Sequence, residues 1–98
     1  MEYELRETRR FKKWLNKVDR KVRISVIARL SRVEKGNLGD HSSVGDGISE
    51  LKFHSGKGTR IYYTKQGETI ILLLTGGNKS SQHDDIKAAK KMVKEMWR

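Results

Sequence analysis

Six side chains in the second half of this sequence have the types that phosphodiester chemistry on RNA requires: Glu50, Lys52, His54, Arg60, Tyr62 and Lys79. For an RNA strand to be cut by its own 2′-hydroxyl, that hydroxyl must lose a proton. The phosphorane must meet positive charge, and the 5′-oxygen must gain a proton. Arg60 offers a planar fork for phosphate oxygens, and Lys52 and Lys79 add point charge. His54, Glu50 and Tyr62 are the groups that could move protons, and Tyr62 could instead stack on a splayed base. The same residues also suit a solvent-facing sheet with cross-strand charge pairs. Against that plainer reading, two cations, a histidine and a tyrosine gather within two strands, while the rest of the segment carries few charges.

The elements that hold these residues read from alternation. Ile48 to His54 sets Leu51 and Phe53 on one face and Glu50, Lys52 and His54 on the other. Thr59 to Thr64 sets Ile61 and Tyr63 against Arg60, Tyr62 and Thr64. Apolar residues must share one core, so even positions oppose even positions. A five-residue loop from Ser55 to Thr59 meets that rule. It predicts His54 opposite Arg60, Lys52 opposite Tyr62 and Glu50 opposite Thr64. Gln66-Gly67 then reads as a two-residue hairpin turn. Thr69 to Thr75 is apolar without a break from Ile70 to Leu74, so it predicts a central strand covered on both faces. Gly76-Gly77-Asn78 reads as a turn that delivers Lys79, with Ser80 or Ser81 capping the last helix. Asp84 and Asp85 fall in that helix's first turn, where the dipole favours acids. Its apolar stripe is Ile86, Ala89, Val93, Met96 and Trp97, with Met92 beside it.

Upstream, residues 2–6 alternate as a short strand with Tyr3 and Leu5 inward. Thr8 caps a helix whose stripe is Phe11, Trp14, Leu15 and Val18. Asp19 caps a second, with the stripe Val22, Val26, Ile27, Leu30 and Val33 and a stop at Gly36. The short connection between them predicts an antiparallel helical hairpin. Residues 36–47, with four glycines and no periodicity, read as a loop with His41 at the surface. No Gly-Lys-Ser/Thr ends that loop and no helix succeeds it, so it is not a phosphate-binding loop.

The 98 residues predict one domain spanning 1–98. There is no cysteine, hence no disulfide framework, cysteine nucleophile or thiolate zinc site, which suits a cytoplasmic protein. The N-terminus shows no secretory h-region, and the longest apolar run falls far short of a membrane span. The formal net charge is +10. Residues 1–35 hold twelve Lys/Arg against five Asp/Glu, residues 36–78 four against four, and residues 79–98 six against three. The helical ends are basic and the sheet is neutral, which favours a nucleic acid or an acidic protein as partner.

Three strings carry a resemblance. They are Gly47-Ile48-Ser49-Glu50-Leu51-Lys52, then Gly58-Thr59-Arg60-Ile61-Tyr62-Tyr63, then Leu74-Thr75-Gly76-Gly77-Asn78-Lys79-Ser80-Ser81-Gln82 with Asp85-Ile86 after it. In this order the chain resembles the RelE/ParE toxin superfamily, in its phage-derived Gp49-like (HigB-like, addiction-module killer) branch. The resemblance implies an α+β fold of the order β-α-α-β-β-β-α, with a small, mainly antiparallel sheet. It implies the toxin half of a type II toxin–antitoxin pair, a metal-independent mRNA endoribonuclease acting on the ribosome without a cofactor. It further implies a cognate antitoxin, a helix-turn-helix protein encoded adjacently, and no membrane partner. Carried onto this chain, Lys52 matches a strand cation, Arg60 the phosphate-stabilising arginine, and Lys79 the lysine of the Gly-Gly-Asn/Asp-Lys string. Gln82 and Asp85 also match, with Gln82 and His83 expected to bind RNA phosphate beside the three cations and Asp85 expected to brace the helix start. Several ribonuclease members place a tyrosine or histidine acid–base group near the C-terminus, whereas residues 84–98 contain neither. His83, just before that helix, stands as the substitute. The same superfamily contains ParE-like members that poison DNA gyrase without cutting RNA, and a binding module without turnover would share the same basic surface.

Overall fold

The computed structural model describes residues 2–54 and 56–96. The elements run β1 (Glu4–Glu7), α1 (Arg9–Lys17), α2 (Arg20–Glu34), β2 (His41–Gly45), β3 (Ile48–Lys52), β4 (Arg60–Gln66), β5 (Ile70–Gly77), a 3-10 turn (Lys79–Ser81) and α3 (Gln82–Met96). The five strands lie in the order β1-β5-β4-β3-β2. β1 runs parallel to β5, and the other three pairings are antiparallel.

Each face of the sheet has its own apolar core. Leu51, Ile61, Tyr63, Ile71 and Leu73 meet Phe11 of α1 and Val26 and Val33 of α2. On the other face Ile48, Tyr62 and Leu74 meet Ala89 and Val93 of α3. The unbroken apolar run of β5 is thereby explained: Ile71 and Leu73 serve one core, Leu72 and Leu74 the other. A bulge between Tyr62 and Tyr63 sets Tyr62 opposite Thr75 but Tyr63 opposite Leu73, so β5 carries Leu74 as an extra residue. The insertion reverses the facing of the rest of β5. Gly77, opposite Arg60, comes to lie against α3, and Gly76 against α1.

The helix starts come from side-chain caps. Thr8 accepts from the Phe11 amide, and Asp19 from the Val22 amide. The end of α1 is closed from α2, where the Arg23 guanidinium donates to the carbonyls of Leu15, Asn16 and Val18. Past α2, Gly36 takes φ 96° just beyond the Lys35 cap, the left-handed geometry in which glycine ends a helix without strain.

Several expectations are corrected. Residues 36–47 are not all loop: His41–Gly45 forms β2, an edge strand joined to β3 by Asp46 and Gly47 at φ 55° and 76°. That pair of positive φ values is the hairpin turn whose twist matches the strands. The β3–β4 register is shifted by two residues from the expected one. Lys52 faces Arg60, Glu50 faces Tyr62 and Ile48 faces Thr64, with Phe53–Thr59 closing the loop. The Phe53 amide donates to the Thr59 carbonyl inside that loop. Gln66 pairs with Ile70, so the next turn spans three residues rather than two. Gly76 and Gly77 belong to β5, and Asn78, not Ser80 or Ser81, caps the 3-10 turn that leads into α3. Ile27 is 55% exposed and Met96 39%, so neither joins its expected stripe. Trp97 lies outside the described residues.

The place intended for Ile27 is taken by Arg29, only 8% exposed. Its guanidinium donates to the carbonyls of Leu38, Asp40 and Lys52 at 2.8–2.9 Å and lies 4.9 Å from the Phe53 ring centroid. One side chain thus ties α2 to the start of β2 and the end of β3. Arg29→Met keeps the apolar stem and removes every donor, so the Leu38 and Lys52 carbonyls lose this partner while the Asp40 carbonyl keeps the Lys52 amide. The expected loss of stability is about 2–4 kcal/mol, read from urea denaturation; an unchanged midpoint would remove Arg29 as the tie.

Candidate nucleic-acid interface

Lys52 ends β3 and Arg60 begins β4, directly across from each other, and Gly77 lies across from Arg60 on β5. All three sit at one end of the sheet, on the face that α3 covers. Glu50 lies one pleat inward, 4% exposed. Its carboxylate is 4.0 Å from Lys52 Nζ and 4.0 Å from Arg60 Nε, and it accepts from Gln82 Nε2 at 3.1 Å. The Arg60 side chain is 14% exposed, and its Nη1 lies 3.4–3.5 Å from the carbonyls of Phe53, Gly58 and Thr59. Among the described residues, Arg60 Nε and the Tyr62 hydroxyl are buried without a hydrogen-bond partner.

Lys79 enters from the other side. Its amide donates to the Lys57 carbonyl. Gly58, at φ 73°, lets the β3–β4 loop pass close: a Cβ there would stand 3.2 Å from Lys79 Cβ and 3.6 Å from Arg60 Nη1. Lys52, Arg60 and Lys79 therefore converge on one loop with Glu50 as the acid beneath them. The result is a cationic patch with one half-buried fork at its centre.

The Gly-Gly pair makes the close approach of helices and sheet. A Cβ on Gly76 would stand 2.5 Å from the Trp14 ring, and one on Gly77 1.8 Å from Asp85 Oδ2. Asn78 Oδ1 accepts from the amides of Ser80 and Ser81, and Ser81 Oγ accepts from the Asn78 amide. Ser81 Oγ in turn donates to Asp85 Oδ2 at 2.5 Å. This network fixes where Lys79 and Gln82 leave the sheet.

The other candidates fall differently. Tyr62 is fully buried under α3, so it has no face free to stack on a base. Gln82 commits its amide to Glu50 rather than presenting it outward. His83 is exposed on the first turn of α3. His54 lies beyond the end of β3, exposed, and pairs through Nε2 with Asp40. That pair lines a groove with Arg29, Arg32 and Lys52, toward α2 and not under α3. Its hydrogen bond holds the Asp40 carboxyl below the usual carboxylate value. Arg29 and Asp40 were missed as site supports, although Arg29 sits where the 22-26-29-33 spacing points inward. Among the described residues, no three His, Asp or Glu side chains stand together as a metal-holding group.

Burial pushes the Tyr62 phenol well above its ordinary value, and the Glu50 and Asp85 carboxylates push the same way. Burial raises Tyr63 as well. A raised folded value means that the folded state holds these protons longer than the unfolded one. Their contribution is complete below the ordinary value of about 10 and is lost as pH climbs above it. Absorbance at 295 nm should therefore show tyrosinate from these two rings appearing together with alkaline unfolding. Their ionisation near pH 10 in a protein still folded by circular dichroism would contradict the burial.

The profile of the phage-derived Gp49-like protein family matches residues 13–96. The chain belongs to that family. The Gp49-like chain is 39% identical over 97 residues to an uncharacterized protein of Haemophilus influenzae, covering 98% of each. Its fold is RelE-like. It superposes on a mutant E. coli toxin RelE in the free state with a TM-score of 0.72 at 19% identity, over 93% of this chain and 98% of that one. It also matches chains in two toxin–antitoxin complexes. One is RelBE2 from Mycobacterium tuberculosis (TM-score 0.66, 17% identity, 81% of this chain and 100% of that one). The other is intact E. coli RelBE (0.62, 22%, 78% and 95%). The Gp49-like fold is α+β as expected, with β2 added to the expected strand order. No helix among the described residues is long and apolar enough to cross a membrane.

Proposed function

We propose that this Gp49-like protein is the toxin of a type II toxin–antitoxin pair and acts as an mRNA endoribonuclease on the ribosome. The observation that carries this reading is the cross-strand placement of Lys52 against Arg60, with Lys79 brought to the same loop. Two lysines around one arginine fork suit a phosphate that gains charge as the 2′-oxygen attacks. The chemistry needs a bond formed from the 2′-oxygen to phosphorus and a bond broken to the 5′-oxygen, which leaves a 2′,3′-cyclic phosphate and a 5′-hydroxyl. Arg60 holds the phosphate, and Lys52 and Lys79 offset its added charge. The buried Glu50 sets the directions of Lys52 and Arg60. Proton transfer is left to an exposed group, His54 or His83, or to water, since Tyr62 is buried and held neutral.

The cognate antitoxin is the expected partner, an acidic protein matched to a chain of net charge +10. The test is induced expression in bacteria with 5′-end mapping of cellular mRNA, comparing the wild type with Arg60→Ala. Cuts at a fixed codon phase that vanish in the variant are the expected result. Growth arrest with intact mRNA and broken chromosomal DNA would replace this reading with gyrase inhibition.

A further inference from the structure

The outer face of α2 is apolar where a solvated helix would be polar. Ile24 is 57% and Ile27 55% exposed, and among the described residues only Met96 joins them as an exposed large apolar side chain. At 100° per residue, Ile24, Ile27, Ala28 and Ser31 share one face, and all but the half-buried margins of that face are open. The helix does not need them for its own packing. Val22, Val26, Arg29, Leu30 and Val33 already turn toward the sheet. Two β-branched residues on the solvent side add no core and slightly weaken the helix.

The charges that flank the two isoleucines are mostly basic. Arg20 and Lys21 flank them toward the start of the helix, and Arg32 and Lys35 toward its end, all exposed. Glu34, the one acid within α2, lies between Arg32 and Lys35 and is the exception. An apolar centre between two basic ends fits a helix with an apolar stripe and acidic flanks. A second copy of this chain fits poorly, because it would bring the same cations face to face. RNA fits poorly as well, because the centre of the patch gives phosphates nothing.

We propose that the outer face of α2, centred on Ile24 and Ile27, is the docking surface for an acidic amphipathic helix of the cognate antitoxin. This rests on the toxin–antitoxin function proposed for the chain. The surface faces away from the sheet, whereas Glu50 and Tyr62 lie on the sheet's opposite side beneath α3. The docked helix therefore supplies affinity from the side of the sheet opposite the buried Glu50 and Tyr62.

The experiment uses the full chain and the purified antitoxin encoded beside it. Ile24→Glu/Ile27→Glu should bind about 100-fold or more weakly, because two buried apolar anchors are replaced by charges that repel an acidic partner. Arg20→Glu/Lys21→Glu should weaken binding less and flatten its salt dependence. Both variants should melt with the wild type, and the isoleucine variant should still cut mRNA while escaping neutralisation in cells. Amide exchange in residues 20–32 should slow in the wild-type complex. Equal affinity of wild type and isoleucine variant overturns this surface while leaving the proposed function standing. If that antitoxin does not bind the wild type at all, the toxin–antitoxin reading fails, and the assigned occupant with it. A wild-type dimer that the isoleucine variant abolishes assigns the face to a second copy and overturns the proposal, as does loss of RNA binding in that variant with antitoxin affinity intact.

Discussion

Arg60→Ala should lower mRNA cleavage by about 10²–10³-fold, the usual loss when one donor aimed at developing charge is removed. The guanidinium is the most enclosed cation of the patch, and its partners there are backbone carbonyls at 3.4–3.5 Å and a carboxylate at 4.0 Å. None of these is a close ion pair, so the fork is held in place without being neutralised. Arg60→Lys keeps the charge but gives one point instead of a fork, so its activity should fall between wild type and alanine. The substitution has a second effect that must be separated from the first. Glu50, nearly fully buried, loses one of its two nearby cations and keeps Lys52 and the Gln82 amide. A buried carboxylate short of a partner should cost about 1–3 kcal/mol. Arg60→Ala/Glu50→Gln removes that uncompensated charge and should recover the melting temperature. Cleavage, measured by 5′-end mapping, should not recover. A double variant that regains both would make Arg60 a structural residue only.

How far the residues alone could reach is clear from three places. The parity of β3 and β4 was readable because apolar residues alternate in both, so Glu50, Lys52, Arg60 and Tyr62 were placed on one face. Parity is blind to a slip of two, however. The seven-residue loop Phe53–Thr59 and the five-residue loop expected in its place share the same faces and differ only in which polar pair meets. Parity also says nothing of what covers a face. Tyr62 was put correctly beside the cations yet looked free, because only the packing of Ala89 and Val93 shows α3 lying over it. In β2, the string His-Ser-Ser-Val-Gly has almost no apolar alternation, as suits an edge strand with one half-open face. Its turn was nonetheless legible, since Asp46-Gly47 is a strong short-range hairpin pair. In α2, a charge at position 29 hid an inward position. An arginine whose donors all meet backbone carbonyls can be buried, and no periodicity rule for apolar residues finds it.

Gly77→Ala should be the most damaging small change in the chain. The added methyl would stand 1.8 Å from Asp85 Oδ2, 2.8 Å from Asp85 Cγ and 2.7 Å from Ser81 Oγ. Asp85 cannot simply swing aside, because the 2.5 Å bond from Ser81 holds it, and Ser81 is itself held by the Asn78 amide. Relief must come from moving the start of α3 off the sheet, which opens the core around Leu74 and Ala89. Overpacking of this kind should cost about 3 kcal/mol or more, a fall in melting temperature of about 10–20 °C for a domain of this size. Gly76→Ala meets the Trp14 ring at 2.5 Å, but Trp14 is half-buried and can tilt outward, so the loss should be smaller. The tight contact can be tested by subtraction. Gly77→Ala/Asp85→Ala removes the carboxylate that the methyl strikes and should regain part of the lost stability. Asp85→Ala alone should lower it slightly by freeing Ser81. A Gly77→Ala protein that melts with the wild type would show that α3 is not seated on this glycine. Because Gly77 lies directly across from Arg60, displacement here should reach the cation at the centre of the patch. Any folded Gly77→Ala protein should therefore cut mRNA more slowly than its remaining folded fraction accounts for.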